Sequence, residues 1–319
     1  MLWHLLALIV ACIWGSTFVA SKVLLNAGLT PAEIMCLRFA LAWVLMLPFL
    51  LRGRSRQRSF TLREQVGEEM LFLLLGLTGG SLYFLAENTA VKLTTATSTV
   101  ALIVGTTPIV TALMNRAVHR NEHLSNRFLA GSMIAVIGVA LVVFNGVFVL
   151  DDDPLVMLLS LAAAVSWGVY SLIIRDVERR HNSITITRKV FFWGIVTMLP
   201  VCIWEMRHGE SQLCALGPAL GTPVRGWSLL LDPTVLVTLF FLGLIASFGC
   251  FLLWNIVMRR IGTIVASNYL YFNPVTSLIA AYLVLHERIT WLALLGCLLI
   301  IVGVYLCNYG PSKHKIAHR

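Results

Sequence analysis

Apolar residues fill long stretches of the chain, and short polar or charged segments separate them. A helix needs ~20 mostly apolar residues to cross the ~30 Å of hydrocarbon in a bilayer. Such a span must be helical, because lipid offers no partner to backbone N–H and C=O groups. The pattern predicts ten membrane-spanning helices, at about residues 3–25, 33–51, 70–91, 95–115, 128–147, 155–174, 189–206, 234–257, 264–285 and 290–309.

Composition agrees with a membrane protein and excludes other classes. Of 319 residues, 58% are apolar and 12% are charged. A soluble particle of this length has too little interior to hide so much apolar surface, and a disordered chain is far more polar. The formal net charge of +9 is typical of nucleic-acid binding proteins as well. Here, however, the basic residues cluster between apolar runs, so we expect lipid and not nucleic acid as the partner.

The basic clusters predict the orientation in the membrane. Of 24 Lys and Arg residues, 18 lie in alternate loops and in the C-terminal tail, whereas five lie on the opposite side and Arg38 lies inside a span. Cytoplasmic loops of membrane proteins carry an excess of Lys and Arg. We therefore expect both termini in the cytoplasm and a multi-pass protein of the inner (plasma) membrane. The first span is expected to be retained, because no Lys or Arg precedes it as in a signal peptide.

The second half of the chain repeats the first. The matches keep one order and offsets of 153 to 167 residues: Trp14 with Trp167, Leu75-Gly76-Leu77 with Leu242-Gly243-Leu244, Pro108 with Pro274, and Glu122, Gly131 and Gly138 with Glu287, Gly296 and Gly303. They predict an all-α fold of two five-helix repeats, at 1–147 and 155–309, followed by a basic tail at 310–319. An odd number of spans inverts the second repeat, as in secondary transporters that bind substrate near the membrane midplane.

The motifs resemble those of EamA-type permeases of the drug/metabolite transporter superfamily. The resemblance rests on Ile13-Trp14-Gly15-Ser16-Thr17-Phe18 with Lys22, on Arg38-Phe39, and on the series Pro108, Glu122, Gly131, Gly138 and Pro274, His286-Glu287, Gly296, Gly303-Val304. It implies a ten-helix inner-membrane permease, and many such permeases export amino acids or other metabolites. Glu87 is a departure, because many relatives have an apolar or small residue at that position.

Enzyme signatures are missing from the sequence. It has no GxxxxGK[ST] phosphate loop and no GxSxG elbow, and His286-Glu287 lacks the second histidine of a zinc protease motif. We therefore expect no catalysis, cofactor or metal, and a small-molecule substrate. The alternatives are a nucleotide-sugar or drug permease of the same superfamily, a membrane-embedded enzyme and a non-transporting scaffold.

Polar and aromatic residues inside the spans are the candidate substrate-binding groups. Polar groups are costly in lipid and usually face the bundle interior. Helices 4 and 9 are rich in Thr, Ser and Asn, which either pack helices closely or line a cavity. The candidates are Trp14, Thr17, Tyr83, Glu87, Asn88, Trp167, Tyr170, Asn255, Asn268 and Tyr271. Each aromatic residue has packing as its alternative role. Pro108 and Pro274 each break a helix at a matching position, as a hinge or as a simple kink.

Glu87 has two interpretations. Counting residues along the spans places it at a depth similar to Arg38 and Lys22, in the outer part of the membrane. One interpretation is a fixed ion pair with either base, which only ties helices together. The other is a cavity-facing carboxylate that binds a substrate amine or exchanges a proton, which would make the proton a coupling ion. The paired glycines are predicted to be close-packing surfaces, and Glu122 and Glu287 to complement helix dipoles.

Overall fold

The computed structural model describes residues 2–52, 62–94, 97–118, 125–144, 153–208, 211–213, 226–285 and 290–308. These ranges contain helices and no strand. Five helices form the first half: α1 (Leu2–Ala27), α2 (Pro31–Arg52), α3 (Leu62–Gly76, a π-helical segment Leu77–Leu82, and Tyr83–Leu93), α4 (Thr97–Val104 and Thr107–Val118) and α5 (Asn126–Phe144). Five form the second: α6 (Pro154–Val177), α7 (Ser183–Arg207), α8 (Pro233–Phe240, a π-helical segment Phe241–Gly249, and Cys250–Ile261), α9 (Thr263–Ser267, a 3₁₀ segment Asn268–Phe272, and Asn273–Leu285) and α10 (Trp291–Asn308).

The helices have the length and composition that a membrane requires. Seven of the described helices are each long and apolar enough to cross a bilayer, namely α1, α2, α3, α6, α7, α8 and α10. The other three are shorter or interrupted: α5 has an apolar part of 17 residues, Asn126–Val142, and α4 and α9 each change geometry midway. The predicted all-α membrane fold is therefore confirmed.

Helix starts follow ordinary capping chemistry. The Asp153 carboxylate accepts a hydrogen bond from the Leu155 N–H at 2.8 Å, ahead of Pro154 in the first helical position. Asp232 caps α8 in the same way, with 2.9 Å to the Thr234 N–H. Such caps satisfy N–H groups that have no partner inside the helix, and a proline there sacrifices no hydrogen bond.

Packing crosses between the two halves in a symmetrical way. Helix α3 packs on α7 as α8 packs on α2, and α4 packs on α6 as α9 packs on α1, while α2–α7 and α5–α10 pair directly. Exchanging each helix with the one five places later thus leaves the pattern unchanged. The repeated Leu-Gly-Leu motif also lies at both π-helical segments. A Cβ atom added at Gly76 would lie 2.5 Å from the Trp193 Cβ, so the crossing of α3 and α7 requires glycine.

The crossing of α5 with α10 is built on four glycines. A Cβ atom added at Gly138 would lie 2.6 Å from the Gly296 carbonyl oxygen, and one added at Gly131 would lie 2.7 Å from the Gly303 oxygen. Real Cβ atoms do not approach backbone so closely, so the two helices touch backbone to backbone. The sequence-based prediction of close-packing surfaces at these positions is confirmed.

Several sequence-based predictions lie outside the described residues. They concern Glu122, Glu287 and His286, and the tail 310–319. Within the described part of the chain, no group of three or more His, Cys, Asp or Glu is placed to hold a metal ion.

Glu178 is a buried carboxyl group just beyond the end of α6. It is 7% exposed, and its Oε1 has no hydrogen-bond partner among the described residues. Burial raises the pKa of Glu178 to about 8, although the Arg259 guanidinium acts in the opposite direction. An unfolded glutamate has a pKa of about 4.3. Between about pH 4.3 and about pH 8, Glu178 therefore keeps its proton in the folded protein and loses it in the unfolded chain. The free energy of unfolding falls as the pH rises through this range.

We expect Glu178→Gln to raise the melting temperature at pH 8 and to leave it nearly unchanged at pH 5. Glutamine resembles the protonated acid, so it removes only the cost of burying the charge. Thermal unfolding of both purified proteins at the two pH values measures this. The exposed Asp176 provides the control Asp176→Asn, which should show no such dependence. An equal effect of Glu178→Gln at pH 5 and pH 8 would contradict the assignment.

Candidate substrate cavity

A cavity lies where helices of the two halves meet. The space between its lining atoms is about 450 Å³, part of which is open to solvent. Helices α1 to α4 of the first half and α6, α8 and α9 of the second half supply its wall. The lining residues are Trp14, Thr17, Phe18, Arg38, Tyr83, Phe84, Glu87, Val104, Thr107, Trp167, Phe251, Leu270 and Asn273.

Aromatic rings form much of the wall. The Trp14 ring centroid lies 5.4 Å from that of Trp167 and 5.5 Å from that of Phe251. The indole N–H of Trp14 donates to the Ala246 carbonyl at 3.0 Å, inside the π-helical segment of α8. Edge-on packing of this kind fixes the rings, so the wall is a preformed apolar surface. The repeat-related Trp14 and Trp167 thus meet at the boundary between the halves.

Arg38 brings a positive charge into this wall. It is 1% exposed, and its Nε donates to the Ser247 hydroxyl at 2.8 Å. Its Cζ lies 4.4 Å from the Phe84 ring centroid, a cation–π distance. Nη1 has no hydrogen-bond partner among the described residues. A buried guanidinium with an unused donor is costly, which makes it a group that an anionic ligand would satisfy.

Glu87 supplies the matching negative charge. It is 2% exposed, accepts a hydrogen bond from the Tyr83 hydroxyl one turn earlier, and is attracted by the Arg38 guanidinium. Lys22 lies elsewhere: its ammonium donates to the Val91 and Thr94 carbonyls at 2.8 and 3.0 Å, at the end of α3. Of the two bases predicted at this depth, Arg38 is thus the one that lines the cavity with Glu87.

Both prolines lie next to the cavity. Thr107 and Asn273 line it, and each directly precedes a proline, Pro108 or Pro274. Helix α4 is interrupted at Gly105-Thr106, and α9 changes from 3₁₀ to α geometry at Asn273. The two helix breaks therefore occupy matching places in the two halves. The hinge role of these prolines stays a prediction.

The structure brings five of the ten candidate residues together in the lining, namely Trp14, Thr17, Tyr83, Glu87 and Trp167. The other five candidates lie outside it. Tyr170 donates to Asn255 at 2.9 Å, and Asn255 donates to Thr187 at 2.8 Å, which links α6, α7 and α8. Asn268 donates to Asn308 of α10 at 2.8 Å. Tyr271 is fully buried in an apolar cluster of α5, α9 and α10, and Asn88 is fully buried within α3.

Arg38 is the main lining residue that the candidate set omitted. The sequence contained a signal for it, because an arginine inside an apolar span is rare and usually has a function. Thr107 and Asn273 belong to helices 4 and 9, whose many Thr, Ser and Asn residues also indicated a cavity lining. The apolar lining residues, such as Phe251 and Leu270, carry no sequence signal that separates them from other core residues.

These features define a class: a polytopic, all-helical membrane protein with a cavity between two related halves. The sequence profile of the EamA-like transporter family matches residues 1–144 and again 154–309, so the chain belongs to that family. It is therefore a membrane transporter with a small-molecule substrate, and the resemblance seen in the motifs is confirmed.

Relatives of known description match over nearly their whole length. The chain is 25% identical over 310 residues to a probable amino-acid metabolite efflux pump of Escherichia coli K12, covering 97% of this chain and 96% of that protein. It is 27% identical over 310 residues to a probable terminal-alkyne amino-acid exporter of Streptantibioticus cattleyicolor, covering 96% and 92%. A solved crystal structure superposes with a TM-score of 0.66 at 20% identity, covering 96% of this chain and 94% of that one, which shows the same fold.

Proposed function

We propose that the protein is a secondary transporter that exports a small organic metabolite of the amino-acid type across the inner membrane. The observation that carries the proposal is the cavity between the halves, which combines an aromatic wall with the charged residues Arg38 and Glu87. The names of two similar proteins, an amino-acid metabolite efflux pump and an amino-acid exporter, support the substrate type. Glu87 is the candidate site for a coupling proton.

The proposed mechanism is alternating access between the repeats 1–147 and 155–309, with the tail 310–319 and both termini in the cytoplasm. Contacts at both ends of the bundle support it. At the end predicted to be cytoplasmic, Glu68 pairs with Arg180 at 2.7 Å and with His181 at 2.8 Å. At the other end, the Ser211 hydroxyl donates to Glu33. Each set ties the first half to the second, so a cycle would break one set while the other holds.

Pro108 and Pro274 are proposed as the hinges of this cycle. Replacing both by alanine restores a backbone N–H at each break and favours a continuous helix, so we expect a folded protein with at least ~10-fold slower transport. Flux into proteoliposomes measures the rate. Pro48→Ala is the matched control, because Pro48 lies inside α2 on an exposed face. Wild-type flux in the double variant would contradict the hinge role.

The predicted orientation has its own test. Reporter fusions after residues 60, 120, 183 and 319 are expected to report the cytoplasm, and a fusion near residue 215 the outside, because Lys and Arg concentrate on the first side. Activities of a cytoplasmic and an external reporter at each point measure this. A cytoplasmic signal at 215 would overturn the ten-helix topology.

The transport function is tested by efflux from proteoliposomes that contain the purified protein and radiolabelled compounds. We expect saturable movement of one or more amino acids and none in protein-free vesicles. If nucleotide sugars or cationic drugs move and no amino acid does, the alternative permease function holds. A folded protein that moves none of these classes would contradict the proposal.

A further inference from the structure

We propose that Arg38 and Glu87 form a two-point clamp for a zwitterion, in which Arg38 takes the carboxylate of the substrate and Glu87 takes its ammonium group. This inference rests on the proposed function, because it assumes that the cavity binds the transported molecule. It goes further by stating which charges a substrate must carry and which residue reads each charge.

The guanidinium of Arg38 is held ready for a carboxylate. Its Nε donates to the Ser247 hydroxyl at 2.8 Å, and its Cζ lies 4.4 Å from the Phe84 ring centroid. The orientation of the planar group is therefore set, while Nη1 stays without a partner among the described residues. Guanidinium and carboxylate form short, charge-assisted hydrogen bonds with fixed geometry, which a lysine does not reproduce.

Other unsatisfied groups of the lining include a donor and an acceptor. The indole Nε1 of Trp167 is buried and has no partner in the described structure, and an indole only donates. The side-chain oxygen of Asn273 is likewise buried without a described partner. Both residues line the cavity. A ligand that carries an anionic and a cationic end would satisfy both kinds of atom, whereas a purely anionic or purely cationic ligand would satisfy one.

Charge balance separates a zwitterion from other ligands. Arg38 and Glu87 are the charged residues in the described lining, and their charges cancel. A zwitterion adds no net charge, so every charge in the occupied cavity has an opposite neighbour. A ligand with a net charge, such as an organic phosphate or a cationic drug, would leave charge uncompensated in a medium of low dielectric constant, which is unfavourable. The rings of Trp14, Trp167 and Phe251 remain to pack against an apolar substituent.

Matched ligands test the clamp without relying on any variant. Binding to the purified wild-type protein is measured with leucine, with leucinamide, which lacks the carboxylate, and with 4-methylpentanoate, which lacks the amine. Phenylalanine, phenylalaninamide and 3-phenylpropanoate form a second set. We expect at least one zwitterion to bind ~10-fold or more tightly than both of its analogues, because each analogue leaves one buried charge unpaired. The clamp would be overturned if an amino acid and its two analogues bound with equal affinity. It would also be overturned if neither leucine nor phenylalanine bound.

Variants then assign each charge to its residue. We expect Arg38→Gln to lower the affinity for the amino acid to that for its amide, and to change the affinity for the amide less than ~3-fold. We expect Glu87→Gln to remove the preference for the amino acid over the analogue that lacks the amine. Arg260→Gln is the control, because Arg260 is exposed at the end of α8. If both clamp variants weaken all three ligands equally, the residues are structural and the clamp is wrong. If the protein transports another compound and shows no preference for zwitterions over their singly charged analogues, the clamp is wrong and the proposed transport function still holds.

Discussion

Gly138→Leu is expected to prevent α5 and α10 from packing and to leave little folded protein. A Cβ atom at this position would already lie 2.6 Å from the Gly296 carbonyl oxygen and 2.8 Å from the Ile300 backbone nitrogen. Both are backbone atoms, so no side-chain rotation relieves the clash, and the helices must separate. Overpacking of a well-packed interior costs about 1–3 kcal/mol and occasionally more, which is a large part of the stability of an ordinary domain.

The yield of monodisperse protein and its melting temperature in detergent measure the effect. Gly67→Leu is a matched control, because Gly67 also lies in a helix and a Cβ atom there meets nothing within 4 Å. A Gly138→Leu protein as stable as the Gly67→Leu protein would show that α5 and α10 do not cross as described.

Glu87→Gln is expected to fold and to lose transport by about 10- to 100-fold, the equivalent of about 1.5–3 kcal/mol for a charged hydrogen bond. Glutamine keeps the shape of the side chain and its contact with the Tyr83 hydroxyl. It removes the negative charge that faces Arg38 and the proposed substrate amine, and it removes the only titratable carboxylate of the described lining.

Flux across pH 6 to 8, with melting temperature recorded in parallel, separates the two roles of Glu87. Glu178→Gln is the matched control, since Glu178 is also buried but lies outside the cavity. A folded Glu87→Gln protein that transports at the wild-type rate across this range would exclude the cavity role. Failure to fold would favour a structural Glu87–Arg38 pair.

The fold was largely predictable because one physical rule dominates it. Each apolar run must become a helix. The ten runs coincide with the ten described helices to within a few residues, except that α3 and α7 begin earlier than predicted, at Leu62 and Ser183. The π-helical segments were not predictable. Leu75-Gly76-Leu77 and its repeat were visible as a motif, but the close approach of Gly76 to α7 and of Gly243 to α2 is seen only in the folded structure.

The candidate site was predictable in part, because sequence does not fix how a helix is rotated. Glu87 and Asn88 are neighbours that project about 100° apart on a helix, and only Glu87 lines the cavity. Tyr170 lies one turn from Trp167 and packs against it with 5.1 Å between ring centroids, yet it forms its hydrogen bond with Asn255, away from the lining. Polarity and aromaticity identified interior residues, and tertiary packing decided which of them face the cavity.

Side-specific thiol labelling tests whether the cavity opens to each face of the membrane in turn, as alternating access requires. Thr17 lines the cavity, so Thr17→Cys in a protein whose seven natural cysteines are replaced introduces one reporter there. A membrane-impermeant maleimide is applied to either face of oriented vesicles, with and without the transported amino acid. We expect labelling from both faces and protection by the substrate. Labelling from one face alone, unchanged by substrate, would contradict it.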